Sequence, residues 1–191
     1  MTDHPTHRRF EAVLMPHLDA AYNLARWLTR NDHDAQDVVQ EAVLRAMRYF
    51  GSFRGEQARP WLLQIVRNTS HTWLRENRPG ELVSLDADDA PIEAAAPAEH
   101  EPMALAARHA DRTAIDRAIT ALPVVFREVL VLRELEDLSY KEIARIVDVP
   151  IGTVMSRLSR ARALMQKALL PGARPVLRDV TVRAARGGRH E

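Results

Sequence analysis

Residues 79–107 divide the chain, and that division limits what it can fold into. The stretch holds seven acids and no Lys or Arg. Pro79-Gly80 opens it, and Pro91, Pro97 and Pro102 interrupt it. Alanines and lone carboxylates bury too little apolar surface to offset the entropy of ordering them. The segment therefore reads as a flexible acidic tether of roughly 25–30 residues between two small domains. It is a solvated spacer whose charge would also shield basic surfaces from polyanions. The chain has 191 residues and a net charge of +1, and the segments on both sides of the tether are net basic.

Composition narrows the chemistry. Aromatic residues make up 5% and cysteine is absent. Leu, Val, Ile and Ala must fill the cores, and a disulfide framework, a thiolate metal site and a cysteine nucleophile are excluded. No run approaches the ~18 apolar residues of a membrane span, and Met1 to Arg9 lead into no secretory core. The expectation is a cytoplasmic protein without membrane insertion. No nucleophile–base pair, metal cluster or phosphate-cradling glycine loop is visible, so an enzyme, a metal site and a cofactor are not expected.

The N-terminal half, residues 10–78, reads as three helices. Leu18, Ala21, Tyr22, Ala25 and Leu28 recur at helical spacing after Pro16. Asn31-Asp32-His33 breaks that pattern, and Asp34 is placed to cap a second helix running to about Phe50. That helix carries Val38, Val39, Ala42, Val43, Ala46 and Met47 on one face and Asp37, Gln40, Glu41, Arg45 and Arg48 on the other. From periodicity alone the polar face is solvated surface. Phe53 stands in a glycine-bounded polar loop, where it either plugs the local core or offers a stacking surface. A third helix opens at Pro60 and runs to about Glu76. Its stripe Gln64, Arg67, Asn68, His71 and Arg75 holds amide, imidazole and guanidinium groups and no acid. A solvated helix face normally mixes signs; fixed positive charge with forked donors suits nucleic acid.

The C-terminal half, residues 108–170, carries the sharper signal. Residues 111–136 are helical, with Val125, Val129, Leu132 and Leu135 forming one apolar series. Ser139 and Glu142 have the spacing of a capping box. Ile143, Ala144 and Val147 face inward on the short helix begun by that box, Asp148-Val149 turns the chain, and Pro150 starts a helix to about Leu169. From Val149 to Leu170 there are four basic groups and no acid. A short helix, a tight turn and a basic helix make a helix-turn-helix, whose second helix enters the major groove. Thr153, Ser156, Arg157 and Arg160 share one face of it. This reading requires Arg157 and Arg160 to lie open to solvent. Residues 171–191 form an Arg-rich tail expected to be disordered.

Three segments resemble one family. The run DAQDVVQEAVLRA at 34–46 resembles region 2.2 of bacterial sigma-70 factors. SFRG at 52–55 with Trp61-Leu62 and Asn68-Thr69 resembles regions 2.3 and 2.4. Leu122-Pro123 through Arg133, LSYKEIA at 138–144 and GTVMSRLSRAR at 152–162 resemble region 4. The order matches the extracytoplasmic-function class, which keeps only these two domains. The resemblance implies an all-α fold of two helical domains and a promoter-specificity subunit of RNA polymerase. Asp34, Asp37, Gln40, Glu41, Leu44 and Arg48 would dock on the β′ clamp, and the second domain would meet the β flap. Phe53 and Arg54 would hold a flipped base of the −10 element. Gln64, Arg67, Asn68, His71 and Arg75 would contact promoter DNA near −10. Lys141, Thr153, Ser156, Arg157 and Arg160 would read the −35 element, with Met155 and Ser159 as weak base readers. The tether would thread the polymerase active-site channel. An anti-sigma protein is the implied regulator. Two rivals remain on residues alone: a stand-alone dimeric regulator using the same helix-turn-helix, and a helical adaptor without DNA.

Overall fold

The computed structural model describes residues 4–54, 57–82 and 105–169. Most of the acidic tether and the whole Arg-rich tail lie outside them, as do the expectations placed there. Among the described residues the regular structure is helical throughout.

The N-terminal module is built from α1 (His4–Leu14), α2 (Leu18–Thr29), α3 (Asp32–Tyr49) and α4 (Ala58–Asn77). Pro16 sits in a short 3₁₀ turn before α2 rather than at its first position. α2 ends at Arg30, which takes a left-handed conformation (φ 59°) while its N–H bonds to the Arg26 carbonyl at 2.8 Å. Asn31, not Asp34, caps α3: its side chain accepts from the N–H groups of His33 and Asp34. The amide oxygen thus satisfies two orphan donors at the helix start. Leu24 and Leu28 of α2 pack with Leu62, Leu63, Val66 and Leu74 of α4. α3 contributes Ala35, Ala42 and Ala46, all fully buried, so its backbone approaches closely. Phe10 of α1 closes the end, edge-on to Phe50 at 5.2 Å.

The C-terminal module comprises α5 (Leu105–Ala121), α6 (Val124–Leu130), α7 (Tyr140–Val147) and α8 (Ile151–Leu169). The capping box at Ser139 is present: its hydroxyl accepts from the Glu142 N–H, and the Glu142 carboxylate accepts from the Ser139 N–H at 2.8 Å. Asp148 makes the turn in a left-handed conformation (φ 55°). Ile143, Ile146, Val147, Val154, Leu158 and Ala161 form the core of the helix-turn-helix.

The region around α6 departs from the sequence pattern in two ways. Every residue from Val124 to Leu132 is buried, Arg127 and Glu128 included, because both modules pack on it. α2 lies against α6, and α4 against α7. The helix also widens to a π turn over Val131–Leu135, where the Glu136 N–H reaches the Val131 carbonyl at 3.1 Å. One extra residue in the turn rotates the side chains beyond it by about 100°. Leu135, expected inside, is 46% exposed, and Glu136 is turned inward instead, 6% exposed.

Ser139→Ala removes the hydroxyl half of the capping box and is expected to lower stability by ~1 kcal/mol. Denaturant unfolding of the two proteins checks this, and Ser139→Asp, another good cap, should recover most of the loss.

Candidate nucleic-acid interface

α4 places the acid-free stripe as expected, but it is not open. The side chains of Arg67 and His71 point at the carboxylate of Glu128 on α6, which is completely buried. His71 Nε2 lies 2.7 Å from one carboxylate oxygen, and Arg67 Nε donates to the same oxygen at 3.1 Å. Arg67 Nη2 reaches the other oxygen at 3.4 Å. Gln64 donates to the backbone carbonyl of Arg145 on α7 at 3.2 Å. Asn68 and Arg75 are exposed.

α8 is oriented differently from the expectation. Arg157 is only 20% exposed, and its Nη1 sits 3.6 Å from the Glu128 carboxylate, buried and without a hydrogen bond. Arg160 is half-buried. The open, solvent-facing arginine pair required by the sequence reading is therefore absent from this arrangement. The reason is electrostatic: an ionised carboxylate withdrawn from water must gather cations, and Arg157 is the one its own module supplies. Ile151, Gly152, Met155, Ser156 and Ser159 face outward instead. Ser156 is partly committed, its hydroxyl donating to the Thr153 carbonyl at 3.0 Å. Thr153 is half-buried and Lys141 exposed.

Further bonds cross between the modules. Glu136 accepts from Asn23 of α2 and from Arg59 of α4, each at 2.5 Å. Arg127, buried, donates to the Trp27 carbonyl near the end of α2 at 3.1 Å and to Leu122 within its own module at 2.7 Å. Burial, with Arg30 and Arg78 nearby, lowers the Arg127 pKa to about 10 against the opposing pull of Glu81, so it stays charged at neutral pH. Glu128 is subject to two opposed influences. Burial raises its pKa, but the bond and charge of His71 and then of Arg67 outweigh that and hold it below the usual carboxylate range. None of the acids was identifiable as a partner from periodicity. They are two of eight acids among eleven basic residues over 108–170, so charge did not single them out either.

α3 presents the contrasting surface. Asp37, Gln40, Leu44 and Arg48 are exposed along one side, joined by Met47 and by Tyr49 at 62%. Glu41 pairs with Arg45 at 2.8 Å, and Asp34 turns toward Arg78 at 3.8 Å. Phe53 is half-buried, its ring 5.8 Å from Phe50 in a stacked pose and 4.6 Å from Trp61, while Arg54 is exposed. The core-plug reading of Phe53 fits this geometry. Among the described residues no cluster of three or more His, Asp or Glu could hold a metal, and no helix is long and apolar enough to cross a membrane.

Residues 13–79 match the family described as sigma-70 region 2, and residues 112–165 match sigma-70, region 4. The chain is 34% identical to the RNA polymerase sigma-H factor of Pseudomonas aeruginosa, over 86% of this chain and 88% of that one. It is 38% identical to the ECF RNA polymerase sigma-E factor of Escherichia coli K12, over 72% and 75%. The chain belongs to the ECF sigma-70 family. Solved structures agree at the level of fold. The sigma factor RpoE of Bartonella quintana, in complex with the anti-sigma factor NepR, superposes with a TM-score of 0.63 at 29% identity, covering 85% of this chain and 97% of that one. CnrH, in complex with the cytosolic domain of CnrY, does so at 0.59 and 23% identity, covering 84% and 86%. α4 lies within the region 2 match, and the α7–α8 pair within the region 4 match up to residue 165.

The groups facing Glu128 are Arg67 and His71 from α4 and Arg157 from α8. Because the Glu128 pKa is depressed in this arrangement, its contribution is present above the ordinary glutamate value of 4.5 and is lost as pH falls through the lower, folded value. Small-angle scattering at falling pH should show the radius of gyration rising before the far-UV helix signal is lost. A constant radius down to global unfolding would contradict this.

Proposed function

We propose that this sigma factor binds core RNA polymerase and directs initiation at promoters by engaging a −10 strand with residues 10–78 and a −35 duplex with residues 108–170. The observation that carries the reading is the pairing, in one chain and in family order, of an acid-free α4 stripe with a capped helix-turn-helix. The protein acts by binding and positioning rather than by catalysis, in the cytoplasm, and needs no cofactor.

Roles follow from chemistry. The exposed side of α3 combines acids at 37 and 41, an amide at Gln40, Arg48 and an uncovered Leu44 at 47% exposure. Such a face suits a basic, partly apolar helical partner, the β′ clamp; its charges set orientation and on-rate. Gln64, Arg67, Asn68, His71 and Arg75 supply forked donors and positive charge for the −10 region, with Phe53 and Arg54 at the flipped base. Lys141, Thr153 and Ser156 lie at the base-facing end of the helix-turn-helix. Arg157 and Arg160 would join that face once Arg157 leaves Glu128, beside which it steadies α8 on α6 in this arrangement. Between α5, α6 and α8 an apolar groove of about 360 Å³, lined by Ile115, Ile119, Leu130, Leu135 and Met165, offers the β flap a seat. An anti-sigma protein is the regulatory partner, as in the Bartonella complex.

Runoff transcription tests the whole. The protein should stimulate core polymerase on a matching promoter, and no stimulation over core alone would refute the function. Charge reversal at Asp37→Lys with Glu41→Lys is expected to weaken core binding by about tenfold or more, since like charges facing a basic surface cost more than 1.4 kcal/mol. Co-purification with core measures that loss, and an unchanged far-UV spectrum would show the fold intact.

A further inference from the structure

The two modules present surfaces meant for the same polyanion, so they should repel when pressed together. Two carboxylates, Glu128 and Glu136, instead bridge them, set on the net basic C-terminal module where the N-terminal module's donors meet it. Glu128 takes Arg67 and His71, the guanidinium and the imidazole at the middle of the −10 stripe. Glu136, brought inward by the π turn, takes Arg59 and Asn23. The Arg145 carbonyl takes the Gln64 amide, and Arg145 itself donates to Gln57 at 3.2 Å. Arg127 binds backbone oxygen of α2 from across the gap.

We propose that the C-terminal module is an internal cover for the −10 stripe of α4, latched by the Glu128 carboxylate standing where a DNA phosphate would lie. The inference rests on the sigma-factor reading, because it takes the α4 stripe to be a strand-binding surface.

Three observations favour a latch over an incidental contact. First, the carboxylate gives its short bonds to the other module. Its own module's cation, Arg157, is left at 3.6 Å with Nη1 buried and unbonded. Second, the donors it occupies are those a nucleic-acid strand needs: the Nε–Nη2 edge of Arg67 and the Nε2 of His71 lie on the carboxylate, and a phosphate oxygen cannot take those same positions. Third, the exposed side of α3 stays uncovered while the middle of the α4 stripe, Arg67 and His71, is covered and only Asn68 and Arg75 stay open. The proposed docking surface for polymerase is available in the form whose central strand-binding donors are occupied. A partner that binds α3 and displaces the C-terminal module therefore turns DNA binding on only after assembly. Free factor is kept off single strands and other polyanions, and the affinity of the covered form falls by its open fraction.

The test uses the full chain without polymerase. Glu128→Gln keeps the side-chain shape and removes the charge. Glu136→Gln loosens the second bond and touches none of the residues assigned to DNA or core. Two readouts are taken: the radius of gyration by small-angle scattering, and the anisotropy of a fluorescent mixed-sequence single-stranded deoxyoligonucleotide. Each variant should be more expanded than the wild type and bind the strand about tenfold more tightly or better, the gain expected when a state populated at ~10% becomes dominant. Folded variants as compact as the wild type would overturn the latch, and so would expansion with no gain in strand affinity. If Glu128→Gln loses its helix signal, Glu136→Gln alone decides. Runoff transcription with core separates the two proposals. Opened variants that bind the strand more tightly while neither they nor the wild type stimulate core would refute the promoter role and uphold the latch.

Discussion

A carboxylate with no access to water has to be neutralised where it stands, and Glu128 meets that requirement by drawing in two guanidinium groups and an imidazole from two helices. Arg67 and His71 come from one module and Arg157 from the other. The grouping fixes how α4 and α6 face one another and why a helix carrying Arg127 and Glu128 can be buried on all sides. It also fixes why the recognition helix points Met155 and Ser156 outward while Arg157 turns in. Replacing such a buried cluster with apolar residues is often neutral or favourable for stability. Its presence here is better understood as choosing one arrangement of the two modules than as adding strength.

The local structure was legible because each signal had a short-range cause. The Ser139–Glu142 capping box, the turn at Asp148 and the buried register Val154, Leu158, Ala161 depend on neighbours within a few residues. The acid-free stripe of α4 was visible for the same reason. Smaller errors had local competitors: Asn31 caps α3 ahead of Asp34 because its side chain reaches two N–H groups at once. What periodicity missed is long-range. No spacing rule links position 128 to positions 67 and 71, and a wide turn at Val131–Leu135 leaves no composition signature, so Leu135 was assigned to the wrong side and the inward turn of Glu136 was missed. The family resemblance rested on motifs rather than on exposure, which is why it stands although the open Arg157–Arg160 face required by the sequence reading is not found.

The contrast between α3 and α4 gives the fold its direction. Both helices belong to one compact core, yet one turns a mixed acidic and apolar side to solvent while the other turns its cations to the neighbouring module. A helix pair that shares a close-packed core moves as one body. The proposed docking at α3 and the proposed exposure of α4 would thus be linked through the same few apolar residues, Ala42 and Ala46 with Leu62 and Val66.

The π turn makes helical pitch a setting in its own right. Tightening Val131–Leu135 to ordinary α pitch, with no residue removed, would swing the side chains after it by about 100°. Glu136 would then leave Arg59 and Asn23, and Leu135 would turn inward to the side where the α pattern places it. The pitch of one turn thus governs together a wall of the proposed partner seat and the grip between modules, without altering any residue proposed to meet DNA.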